Sequence, residues 1–141
     1  MEPLIVSALL YYAGFRNLDD FDFQLDSAFL ADPDNRVLLD LETSDTKSAL
    51  IHVLSFLNPD KIDMDVFGRL LMRTLKAEYQ KAGPDLSAFA NKTHLLYSYI
   101  SAGVGFTDPF DILSYADDPL SWGNETQCRE LYQKAFDWYE A

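Results

Sequence analysis

Cysteine is almost missing from this sequence. Cys128 stands alone among 141 residues, so no internal disulfide can form, and a free thiol suits a reducing compartment. Histidine is nearly as scarce. Only His52 and His94 occur, and neither belongs to an HExxH run or to a Cys/His pair at metal-ligand spacing. Basic residues are few, 11 against 23 acidic ones, for a formal charge of −12. That deficit disfavours nucleic acid, whose phosphates need a Lys/Arg surface, and disfavours docking on an anionic membrane. Membrane-spanning runs are missing too. The apolar stretch Leu4 to Ala13 has no basic flank and is too short to cross a bilayer, so it reads as a buried helix and not as a signal peptide. The cytoplasm is the expected address.

The signatures of chemistry are missing as well. Asp32-Pro33-Asp34 has the first ligands of a calcium loop, but the glycine and the glutamate that such a loop needs are replaced by Val37 and Thr43. A loop counted from Asp20 puts Leu25 at the glycine position. There is no GxSxG elbow, and Gly103-Val104-Gly105 lacks both the third glycine of a nucleotide turn and a strand before it. Cys128 falls on the apolar stripe of a helix, where a thiol is inert. A lone His such as His52, on a mainly apolar helix, reads as a core or boundary residue. The expectation is a non-enzyme without metal or cofactor.

What is present is apolar residues at helical spacing. Hydrophobic residues make up 48% and aromatics 14%, enough for a sizeable core in one domain of this length. Phe67, Leu70, Leu71, Leu75 and Tyr79 recur at three- and four-residue steps between Asp63 and Ala82, and Gly83-Pro84 stops the run. Asn124, with Gln127 three residues on, caps a last helix lined by Cys128, Leu131, Tyr132, Ala135, Phe136 and Tyr139. Further helices are expected from Pro3 to Gly14, from Ser44 or Asp45 to Asn58-Pro59, from Asp85 to Ser101, and from Pro109 to Tyr115 behind an Asp108 cap. In Asn17 to Thr43, Phe21, Phe23 and Leu25 alternate like a strand. Yet a single strand has nothing to pair with, so helix is the better reading. Breaks at Asp32-Pro33, Asn58-Pro59, Gly103 to Gly105 and Trp122-Gly123 divide the chain. The predicted fold is all-α, one compact domain of about six to eight short antiparallel helices over residues 1–141.

Charge is segregated along the chain. From Asp19 to Asp45 nine acids face only Arg36, a net −8. From Thr107 to Ala141 eight acids face Arg129 and Lys134, a net −6. The middle, Thr46 to Phe106, carries five acids and seven bases, a net +2. Phe21, Phe23, Phe29, Phe110, Tyr115 and Trp122 are interleaved with the acidic stretches. Aromatic anchors ringed by charge are how tight interfaces are built, and two acidic stretches on one face would attract a cationic macromolecule.

The expected function is therefore a non-catalytic acidic protein that binds and neutralises a basic protein. Its most concrete form is an immunity protein or antitoxin occluding a bacterial nuclease toxin. The expected contacts are Asp19, Asp20, Asp22, Asp26, Asp32, Asp34, Asp117, Asp118 and Trp122. Neutralising Asp19, Asp20 and Asp22 together should slow association and leave the fold nearly intact. The alternative is a helical adaptor or regulatory scaffold that takes a peptide or protein in an apolar groove.

Overall fold

The computed structural model describes residues 1–83, 85–105 and 107–140. It contains eight α-helices and one 3₁₀ turn, and no strand among the described residues. In chain order these are α1 (Glu2–Ala13), α2 (Leu18–Ala31), α3 (Arg36–Thr43), α4 (Thr46–Leu54), α5 (Met64–Ala82), α6 (Leu86–Val104), α7 (Ile112–Tyr115), the 3₁₀ turn (Asp118–Trp122) and α8 (Glu125–Phe136).

Local chemistry sets most of the boundaries. Asn17, Asn35, Asp45, Asp63, Asp85 and Asn124 each turn a side-chain oxygen onto a free amide of the helix that follows. Gly14 ends α1 in the left-handed region at φ 86°, where a side chain would be strained. The Asn17–Thr43 segment is helical throughout except at its centre. Asp32 to Asn35 break it into α2 and α3, because Pro33 offers no amide and Asn35 caps a new helix.

Four boundaries differ from expectation. α4 ends at Leu54 and not at Asn58-Pro59, with turns from Ser55 to Asn58 between. α6 runs through Gly103 to Val104: with no Cβ, Gly103 lets the helix lie against the backbone of Leu57. α7 begins only at Ile112, after a turn in which Asp111 donates its amide to the carbonyl of Thr107. α8 stops at Phe136, and Tyr139 lies outside it, over Gly68 of α5, where Arg69 Nη1 donates to its carbonyl at 2.9 Å. The stop proposed at Gly83-Pro84 is described only through Gly83, since Pro84 lies outside the described residues.

The centre of the fold is α1. Its sequence is apolar on every side, and every residue from Leu4 to Leu10 is buried. It packs against α2, α4, α5 and α6. α5, α6 and α8 are joined by an aromatic cluster of Tyr79, Phe89, Tyr132 and Phe136 with ring centroids 5.0–6.2 Å apart. Inside it the hydroxyls of Thr93 and Tyr132 share a hydrogen bond of 3.2 Å, and Arg129 Nη1 donates to Tyr79 Oη at 2.8 Å. α3 packs on α2 and α4, while α7, the 3₁₀ turn and α8 pack on α5, on α6 and on one another. No helix among the described residues is long and apolar enough to cross a membrane.

Candidate partner-binding surface

This packing order decides where the acidic residues go. The elements that carry the two acidic stretches have different packing neighbours. α2 packs on α1 and α3, and α3 on α2 and α4, whereas α7 packs on α6 and α8, and α8 on α5, α7 and the 3₁₀ turn. Separation along a sequence says nothing of direction in space until the middle of the chain is placed.

In the C-terminal stretch, Asp117 is half-buried and its Oδ1 lies 2.6 Å from His94 Nε2. Asp118 is exposed at the start of the 3₁₀ turn. Trp122, at the end of that turn, is 62% exposed and packs into no core. His52, expected in the core or at its boundary, is instead exposed and stacked on Phe56 at 5.3 Å, so the two imidazoles lie on separate helices and share no cavity. Among the described residues no group of three His, Cys, Asp or Glu is arranged to hold a metal ion.

In the N-terminal stretch, Asp20 differs from its neighbours. Ser7 Oγ, on the buried helix α1, donates to Asp20 Oδ2 at 2.5 Å, and Arg16 Nη1 stands 3.6 Å from Asp20 Oδ1. Arg16 Nε in turn donates to Glu78 Oε1 at 3.3 Å, and Lys81 Nζ reaches the same oxygen at 3.3 Å. Asp20 thus ties α2 to α1 directly and to α5 through Arg16, so neutralising it should cost stability. Asp19, Asp22 and Asp26 are exposed and make no ion pair among the described residues.

Asp22 and Asp26 flank a groove of about 230 Å³ between α2 and the end of α3, on whose wall lies Glu42. A hydrogen bond with Asp26, then burial, then repulsion from Asp26 and Asp22 push the Glu42 carboxyl above the ordinary carboxylate range. Asp32 and Asp34 are exposed in the α2–α3 turn, where Asn35 Nδ2 donates to Asp32 Oδ2 at 3.3 Å. Asp32 also edges a cavity of about 550 Å³ lined by Leu4, Ala28, Val37, Leu38 and Phe56.

Of the six interleaved aromatics, Phe21 and Phe110 are core, Phe29 and Tyr115 are half-buried, and only Phe23 and Trp122 stand out in solvent. Phe23 is 66% exposed. One heptad further on, Leu30 is 77% exposed. Sequence reasoning missed Leu30 and Glu42. The seven-residue spacing from Phe23 was the available signal for Leu30, since it puts both on one helix face.

No protein-family model, curated protein or solved structure matches this chain. Asp19, Phe23, Asp26 and Leu30 follow one another at steps of four, three and four residues, a row along the outward face of α2, with Asp22 beside it.

Proposed function

We propose that this chain is a non-catalytic acidic binding protein that neutralises a basic protein partner through the outward face of α2. One contrast carries the reading. α5 and α8 follow the rules of a solvent-facing helix: acids in the first turn, a base in the last, and an acid–arginine pair four residues apart (Asp65–Arg69 and Glu125–Arg129, both at 2.8 Å). α2 keeps only the first, with Asp19 and Asp20 in its opening turn. It carries four acids and no base within its span, has no cation in its last turn, and turns a phenylalanine and a leucine to water. Arg16, which precedes the helix, offsets Asp20 alone; Asp19, Asp22 and Asp26 have no ion pair among the described residues. A partner that covers Phe23 and Leu30 would remove from water apolar area of about 1.5–3 kcal/mol for each side chain, and its cations would meet unpaired carboxylates.

The most concrete form is a cytoplasmic immunity protein or antitoxin that occludes a bacterial nuclease toxin, with Asp19, Asp22 and Asp26 standing where nucleic-acid phosphates would lie. The cavity beside Asp32 supports a second reading, an adaptor that receives an apolar peptide side chain against Leu4, Leu38 and Phe56.

The test is the association rate with a basic nuclease domain, where a neighbouring gene encodes one, measured from about 20 to about 150 mM salt. The rate should fall on the order of tenfold. Replacing Asp19, Asp22 and Asp26 by Asn should slow association by a similar factor without lowering the melting temperature. A salt-independent rate would favour the adaptor. A neighbouring gene that encodes no basic protein would remove the immunity form of the reading.

A further inference from the structure

We infer that the occupant of the α2 face is a helix of the partner, apolar along one stripe and rich in Lys or Arg along only one edge of it. The inference rests on the proposed function and adds the shape of what binds. α2 packs against α1 and α3, and its outward side carries the row Asp19, Phe23, Asp26, Leu30. The steps of four, three and four average close to the helical repeat, so the row runs nearly parallel to the axis for about 17 Å. A straight ridge of that length, with two large apolar side chains one heptad apart, is the surface that a second helix covers at a shallow crossing angle. A strand, rising about 3.3 Å per residue, would not keep register with both anchors.

The two edges of the ridge differ in charge. At 100° per residue, Asp19, Asp22 and Asp26 fall on the same side of the Phe23–Leu30 line, whereas Ser27, Ala31 and Gln24 fall on the other. Asp20, which also falls on that other side, is occupied by Ser7 and Arg16. A matching helix therefore places its cations along one flank and small or uncharged residues along the other. That asymmetry fixes which way the helix lies and excludes a uniformly basic segment as the best fit.

The experiment titrates two synthetic peptides of about 18 residues into the full chain. One has leucines at heptad spacing with lysines along a single flank. The other has the same composition in scrambled order. Affinity is read by calorimetry, the contact surface by amide chemical shifts, and peptide helicity by circular dichroism. The patterned peptide should bind at least tenfold more tightly than the scrambled one, gain helicity on binding and shift amides of α2. Phe23→Ser and Leu30→Ser, both at exposed positions, should each weaken it about tenfold while melting at the wild-type temperature. Equal binding of the two peptides, or binding indifferent to Phe23→Ser, overturns the inference. If the basic nuclease domain still associates in a salt-dependent way while the patterned peptide has no advantage, the helix is refuted and the binding reading stands. If neither associates, both fall.

Discussion

Asp20 and Asp19 are adjacent acids in the first turn of α2, yet the structure gives them different work, and that difference is measurable. Asp20→Ala removes the acceptor for Ser7 Oγ, a 2.5 Å hydrogen bond to a carboxylate, and the partner of Arg16 at 3.6 Å. A hydrogen bond to a charged group contributes about 1.5–3 kcal/mol, and a partly exposed ion pair adds about 0.5 kcal/mol. The released hydroxyl of Ser7 can turn back onto its own helix, which recovers part of the loss. The expected net cost is about 2 kcal/mol. Asp19→Ala loses only a favourable charge near the α2 N-terminus, about 0.5 kcal/mol. Urea unfolding followed by circular dichroism separates the two, and for a chain of this size the larger cost lowers the melting temperature by about 7 °C. A double-mutant cycle of Asp20→Ala with Ser7→Ala should give a coupling of about 1 kcal/mol or more. Equal costs for the two aspartates, or a coupling within error of zero, would refute the role of Asp20 in tying α2 to α1.

Two more outcomes follow from the core. Burial, aided by the charge of Asp117, pushes the Cys128 thiol up to about 11, so a disulfide reagent at pH 8 should label the native protein only as fast as it unfolds. Because the folded value lies above the unfolded one of about 8.5, this stabilisation is complete below that pH and is lost as the pH rises towards 11; wild type should therefore lose more stability than Cys128→Ala across that window in urea titrations. Gly103→Ala brings a methyl against the carbonyl oxygen of Leu57, a backbone atom that cannot rotate away. It should destabilise the protein by about 2 kcal/mol in spite of alanine's better helix propensity, and a gain in stability would show that α6 and Leu57 are not in contact.

Much of the fold was legible because each helix carries its own punctuation. The stripe from Phe67 to Tyr79 with its Asp63 cap yields α5, and Asn124 yields the start of α8, since both signals are local. The 3₁₀ turn at Asp118–Trp122 was not legible: a five-residue turn holds too little periodicity to register. The binding surface was legible in half. The excess of acid around α2 could be counted, but the inward role of Asp20 depends on Ser7, thirteen residues away, and no pattern within α2 reports it. Likewise the alternation of Phe21, Phe23 and Leu25 left the outward residue undecided. Once the segment is helical, Phe21 and Leu25 share the buried side and Phe23 is forced into solvent. Charge can be summed by segment, but which elements the two acidic stretches pack against is set by tertiary contacts that no segment reports.

The wrapping of α1 bears on how the protein must be made. The helix at the hub is translated before α4, α5 and α6, three of the elements that enclose it. At about 5–20 residues per second, the ribosome needs roughly 5–20 seconds after finishing α1 to deliver the end of α6. Throughout that interval an apolar segment of a dozen residues has α2 as its earliest shelter.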